Sequence, residues 1–157
     1  MIQRDYHAEN LIWLPDRTGA ARVGLLDYQD AMLGHPAYDL VSIAQDARRD
    51  VSADLVALMT SRYLAGSGAA HEPFHAAFAV LGAQRNLRIL GVFARLSIHY
   101  GKAHYVDLIP RVWQHVQTNL THPALAEVKP LIDTALPPPT PEILQRLKDQ
   151  CATIPLP

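Results

Sequence analysis

Cysteine is almost missing from this chain of 157 residues, in which Cys151 stands alone. A single thiol closes no internal disulfide, which fits a reducing cytosol and leaves Cys151 as a bystander. Long apolar runs are missing too, since none reaches the roughly 18 residues that a membrane-spanning helix needs. The first residues are polar and charged almost at once, unlike a signal peptide. An excess of one charge is also absent. Lys and Arg number 14 against 15 Asp and Glu, for a formal net charge of −1. That balance argues against the broad basic footprint of a nucleic-acid binder. The expectation is a cytoplasmic protein with neither nucleic acid nor membrane as partner. What is present, 49% hydrophobic and 18% charged residues, suffices for one domain with a core of its own.

Two short apolar runs, Asn10–Leu14 and Arg22–Leu26, flank Pro15-Asp-Arg-Thr-Gly-Ala20. Apolar runs separated by Pro, Asp and Gly predict a β-hairpin. After Gly34 the pattern turns helical. Leu40, Ile43, Ala44 and Ala47 recur at i, i+3, i+4 and i+7, with Pro36 suited to a first turn. Ser52 can cap a second helix that ends at Gly66-Ser-Gly68. The longest helix is predicted from about Pro73 to His99, apolar on most sides in its middle, with Arg85, Arg88 and Arg95 interspersed. A helix of that kind is usually central to its domain. A fourth is predicted over about Asp107–Asn119, and a fifth from Thr121 or His122 to Leu136. After the stiff Pro137-Pro-Pro139 break, Thr140-Pro141-Glu142 opens a terminal helix. The fold class expected is mainly α with a small β-hairpin and about six helices. Residues 1–136 are expected to form one lobe, with 137–157 a proline-rich break and terminal helix.

The chemistry concentrates at the start. Asp5 and Asn10 lie five apart, and Asp27 follows at the end of the second strand. Phosphoryl transfer needs an oriented nucleophile, a metal on the phosphate oxygens and little covalent help. Asp5 can accept the proton of an attacking hydroxyl. Asn10 offers an amide oxygen and Asp27 a carboxylate, hard ligands of the kind Mg²⁺ takes. A hairpin between them would return Asp27 beside Asn10. Arg4 and His7 flank the base, as structural or as catalytic groups. Asp30 is either a further ligand or a turn residue. Asp39, in a predicted first helical turn, suits bracing the loop's backbone better than touching substrate.

Other motifs carry less. His71-Glu-Pro-Phe-His75 fits the H-E-x-x-H zinc pattern, but Pro73 belongs in a first turn, which would leave His71 outside the helix. His7-Ala-Glu9 lacks the P-C-x-x-C that a zinc deaminase requires. Gly101-Lys102 lacks the rest of a Walker loop, and no G-x-S-x-G elbow occurs.

Gln3-Arg4-Asp5 with Asn10, Leu26-Asp27 with Ala31, and Gly34 with Asp39-Leu40 stand in the order of three motifs of one family. At these residues the chain resembles the aminoglycoside phosphotransferases, a branch of the protein-kinase-like fold. Arg4-Asp-Tyr-His7, Leu26-Asp-Tyr-Gln-Asp-Ala31, Tyr38-Asp-Leu-Val-Ser42 and Gln84-Arg85 through Arg95 look like a narrower branch. That branch comprises bacterial sugar kinases acting on the anomeric hydroxyl of N-acetylmuramate and N-acetylglucosamine in cell-wall recycling. The resemblance implies the C-terminal, helical lobe of a kinase, with its catalytic loop and metal-binding hairpin in residues 1–31. It implies Asp5 as catalytic base, Asn10 and Asp27 as magnesium and nucleotide-site ligands, and Asp39 as the structural aspartate. It also implies ATP and an amino sugar as substrates, with Arg85 and Asp30 as candidate substrate contacts.

Gln3 stands where the family usually has His. The family's glycine-rich phosphate cover and nucleotide-clamping lysine match nothing in these 157 residues. The expectation is therefore a catalytic lobe that is inactive without an N-terminal lobe. The alternative is a non-catalytic binding or scaffold remnant, associating with itself or a partner through an exposed apolar lobe face.

Overall fold

The computed structural model describes residues 1–155. Contacts group the chain into two compact units, Met1–Phe78 and Ala79–Pro157. Among the described residues there are one two-stranded antiparallel sheet and six α-helices, as the hairpin and periodicity signals predict. No helix among them is long and apolar enough to cross a membrane.

The first unit begins with the hairpin. Strands β1 (Leu11–Trp13) and β2 (Val23–Leu25) pair with Leu11 opposite Leu25 and Trp13 opposite Val23. The Pro15-Asp-Arg-Thr-Gly stretch makes the connection, with Gly19 at φ 56°, a conformation open to glycine at little cost. Arg22 stacks its guanidinium 4.4 Å over the Trp13 ring. Ahead of the hairpin, Ile2 and Met32 form an isolated antiparallel bridge, closed by hydrogen bonds of 2.8 and 2.9 Å. The segment before β1 is thereby tied to the segment after β2.

Helix α1 (Ala37–Ala44) is shorter than its apolar stripe suggests and ends before Ala47. Its Val41 and Ala44 are buried, as is Ala47 beyond its end. Ser52 caps α2 (Ala53–Ser67) by accepting the Leu55 N–H at 3.3 Å, and Gly68 closes it at φ 67°. Such a cap contributes about 1 kcal/mol. Tyr63 stacks on Phe74 from the start of α3, with ring centroids 5.0 Å apart.

Helix α3 (His71–Ile98) opens two residues earlier than expected. His71 is its first residue, not a residue outside it. Pro73 is still in the first turn, where a missing N–H leaves no intrahelical bond unmade. The His71 and His75 rings lie 6.4 Å apart, yet no group of three or more His, Cys, Asp or Glu among the described residues could hold a metal.

In the second unit, Ala79 and Ala83 of α3 pack with Val116, Leu120 and Leu125 in a buried cluster. The fourth helical segment is a 3-10 turn over Ala103–Leu108 leading into α4 (Ile109–Asn119). Val112, Val116 and Leu120 recur every four residues and are almost wholly buried, a single helical stripe. The fifth opens with a 3-10 turn at Pro123–Leu125 before α5 (Val128–Ala135). Helix α6 (Pro141–Asp149) begins at Thr140, whose hydroxyl accepts the Ile143 N–H. Lys148 of α6 meets Asp107 at 2.6 Å, and the Ser97 hydroxyl donates to the Leu147 carbonyl.

A candidate phosphotransfer site

The loop from Gln3 to Asn10 is built around one carboxylate. Asp39 sits in the first turn of α1, where the helix dipole favours negative charge. Its Oδ2 accepts the Gln3 backbone N–H at 2.7 Å and its Oδ1 accepts that of Arg4 at 3.0 Å. Arg4 is thereby held at φ 72°. A side chain in that left-handed region costs about 1–2 kcal/mol. Two charge-assisted hydrogen bonds offset a cost of that size. Tyr6, two residues on, feels the same aspartate. Its hydroxyl is held above the usual tyrosine range, first by burial and then by the negative charge of Asp39.

Asp5 projects into solvent, with its side chain 58% exposed. Asn10 is buried, and its amide nitrogen donates to the Asp5 carbonyl at 2.9 Å and reaches Asp5 Oδ2 at 3.4 Å. His7 is buried as well. Its Nε2 stands 3.4 Å from Asp5 Oδ1 and the same distance from the Asn10 amide nitrogen. A proton on Nε2 therefore points at the Asp5 carboxylate, while His7 Nδ1 is buried without a partner. The loop fixes the backbone of Asp5 and leaves its carboxylate open on one side.

The ladder of the hairpin extends past its strands, since the Leu26 N–H donates to the Asn10 carbonyl at 2.9 Å. Asp27 is the next residue, exposed and left-handed at φ 49°. Of three non-glycine residues with positive φ among those described, Arg4 and Asp27 both lie here. Strain of this kind gathers at functional sites. Since the Asn10 nitrogen is committed to Asp5, its amide oxygen is the end left to receive a cation. Like the Asp27 carboxylate, it is a hard oxygen donor of the kind that could hold Mg²⁺. Asp30 is exposed in the 3-10 turn that follows. Arg85 belongs to the second unit, where it is buried and engaged in interactions of its own.

Gln3 takes a larger part than its position suggests. It is buried, and its side-chain amide donates to the Leu26 carbonyl, so one residue ties the Asp5 loop to the strand that carries Asp27. Two further contacts involve Arg48. Glu9 meets Arg48 at 3.7 Å, and Asp46 accepts the Arg48 backbone N–H at 2.8 Å. The Asp46-Ala-Arg48 pattern of an Asx turn was the available signal for the last.

Residues 3–78 match the profile of a phosphotransferase enzyme family. Through that segment, the chain belongs to the phosphotransferase enzyme family. Its relatives include a protein of Caulobacter vibrioides named N-acetylmuramate/N-acetylglucosamine kinase, 52% identical over 135 residues. That alignment covers 85% of this chain and 37% of the relative. Proteins of the same name from Neisseria meningitidis and Pseudomonas aeruginosa are 34% and 30% identical, over 74% and 83% of this chain and 35% and 40% of theirs. The chain thus spans well under half the length of the curated relatives it matches.

Proposed function

We propose that this phosphotransferase-family chain carries the base and metal ligands of a kinase that moves the γ-phosphoryl group of ATP to a hydroxyl of an amino sugar. The acceptor class comes from the relatives, each named as a kinase of N-acetylmuramate and N-acetylglucosamine. The observation that supports the chemistry is the meeting of two elements. The Asn10 amide is bonded to Asp5, and the Asn10 carbonyl accepts the N–H of Leu26, one residue before Asp27.

In this reading the acceptor hydroxyl attacks the γ-phosphorus, the bond to the bridging oxygen breaks, and ADP leaves. Asp5 takes the hydroxyl proton. His7 and Asn10 orient Asp5, while Asp39 fixes the loop through the backbone of Gln3 and Arg4. Asn10 Oδ1 and the Asp27 carboxylate would hold Mg²⁺, which when bound neutralises charge on the phosphate oxygens. Residues 1–157 hold no G-x-G-x-x-G run, and by themselves they are expected to transfer no phosphate, for want of the positioning that a nucleotide clamp supplies.

The test is phosphate transfer from ATP to each of the two sugars by the full-length protein, with magnesium titrated. Asp27→Asn should raise the magnesium concentration needed for half-maximal rate by tenfold or more. An unchanged magnesium dependence would remove Asp27 from the metal site.

A second reading, a non-catalytic binding domain, draws on the apolar surface around the hairpin. Trp13 is 61% exposed, Tyr28 69% and Leu33 87%. Phosphate transfer that depends on Asp5 would decide against it.

A further inference from the structure

We propose that Arg48 selects the acceptor by binding an anionic substituent on it, the carboxylate that N-acetylmuramate has and N-acetylglucosamine lacks. The inference rests on the phosphotransfer reading above and names what distinguishes its two sugars.

Arg48 lies in the connection between α1 and α2, and that connection is held in shape from beneath. Asp46 is 3% exposed, and its carboxylate accepts the Arg48 backbone N–H at 2.8 Å. The side chain is directed to the catalytic loop, because Nε faces Glu9 Oε2 at 3.7 Å. Glu9 sits in the single turn, Ala8–Asn10, that joins Asp5 to the hairpin. At that distance the pair is electrostatic and looser than the 2.7–2.9 Å of a charge-assisted hydrogen bond. The pair with Glu9 engages Nε, and the Arg48 side chain stays 37% exposed.

A carboxylate approaching this loop meets Asp5 and Glu9, both negative, so it needs a local cation to stay. An arginine fork matches a carboxylate with two parallel hydrogen bonds, which a lysine does not. Phosphate is the other anion that could meet this group. In the proposed mechanism, however, its charge is answered by the metal at Asn10 and Asp27, on the other side chain pair. The acceptor carboxylate is therefore the assignment.

The experiment compares wild type, Arg48→Gln and Arg48→Lys in the full-length protein. It measures kcat and KM for both sugars and for ATP, together with calorimetric binding of each sugar without nucleotide. A fork to a carboxylate corresponds to a loss of about 10- to 100-fold. The ratio of kcat/KM for N-acetylmuramate over N-acetylglucosamine should fall by that factor in Arg48→Gln. The loss should lie in KM, with a matching loss in calorimetric affinity for N-acetylmuramate. Arg48→Lys should fall between wild type and Arg48→Gln. An unchanged ratio in an active protein overturns the role of Arg48 and leaves the phosphotransfer reading standing. A raised KM for ATP with both sugars affected equally assigns the group to phosphate and also overturns it. A wild-type protein that phosphorylates neither sugar sinks both.

Discussion

Asp39→Asn is the substitution whose effect can be worked most fully from the structure. The carboxylate accepts two backbone N–H groups, from Gln3 at 2.7 Å and Arg4 at 3.0 Å. An asparagine keeps one oxygen acceptor and turns an NH₂ toward the other N–H, donor against donor. One hydrogen bond to a charged group is then lost, worth about 1.5–3 kcal/mol, and the other becomes a neutral one of about 1 kcal/mol. The sum is a local loss of about 2–5 kcal/mol. It falls on a segment already strained, since Arg4 sits at φ 72°. Freed of the tether, Arg4 should relax toward negative φ and carry Asp5 with it. Hydrogen exchange of the Gln3 and Arg4 amides in the full-length protein reads this directly. At tenfold per 1.4 kcal/mol, protection should fall by roughly 30- to 4,000-fold. Protection within threefold of wild type would refute the idea that Asp39 holds this loop. The companion substitution Arg4→Gly should recover part of the lost protection in Asp39→Asn, because glycine bears the left-handed conformation without strain.

Other outcomes follow from single contacts. Gln3→Leu removes the donor to the Leu26 carbonyl and should lower kcat more than it raises the KM for sugar, with a stability loss of about 1–3 kcal/mol in thermal unfolding. Gly82→Ala should cost about 1–3 kcal/mol, also read by thermal unfolding, because a Cβ there would lie 2.6 Å from the buried Asn119 side chain. The Tyr6 hydroxyl titrates above its ordinary 10.0 through burial and then Asp39. Stability from this group is therefore complete below that pH and is lost as pH rises through the folded-state value. Tyr6→Phe should flatten the decline of stability above pH 10.0 in alkaline unfolding, and an unchanged decline would contradict the assignment.

Much of the architecture was legible because it rests on local rules. Ser52 and Thr140 stand at the caps where short polar side chains satisfy first-turn N–H groups. The Pro15-to-Ala20 stretch turned the chain between two apolar runs, and the spacing of Asp5, Asn10 and Asp27 drew attention to one loop and one hairpin. Boundaries were less legible. His71 joins α3 because a proline is tolerated anywhere in a first turn, so Pro73 fixes the start only to within a residue or two. Helix α1 stops at Ala44 although its apolar pattern continues, because Ala47 is buried from a non-helical connection. The contacts of Gln3 with Leu26 and of Glu9 with Arg48 join residues 23 and 39 apart in sequence. No periodicity records such pairs, since they exist only after the hairpin and α1 have folded.

If Asp5 takes the proton of the acceptor hydroxyl, the turnover of Asp5→Asn in the full-length protein must show it. The assay supplies ATP and N-acetylglucosamine, with the dissociation constants of both measured alongside. A positioned base contributes about 10²–10⁴-fold. A loss of that size in kcat is expected in Asp5→Asn, with both dissociation constants within about twofold of wild type. Turnover equal to that of wild type would contradict it.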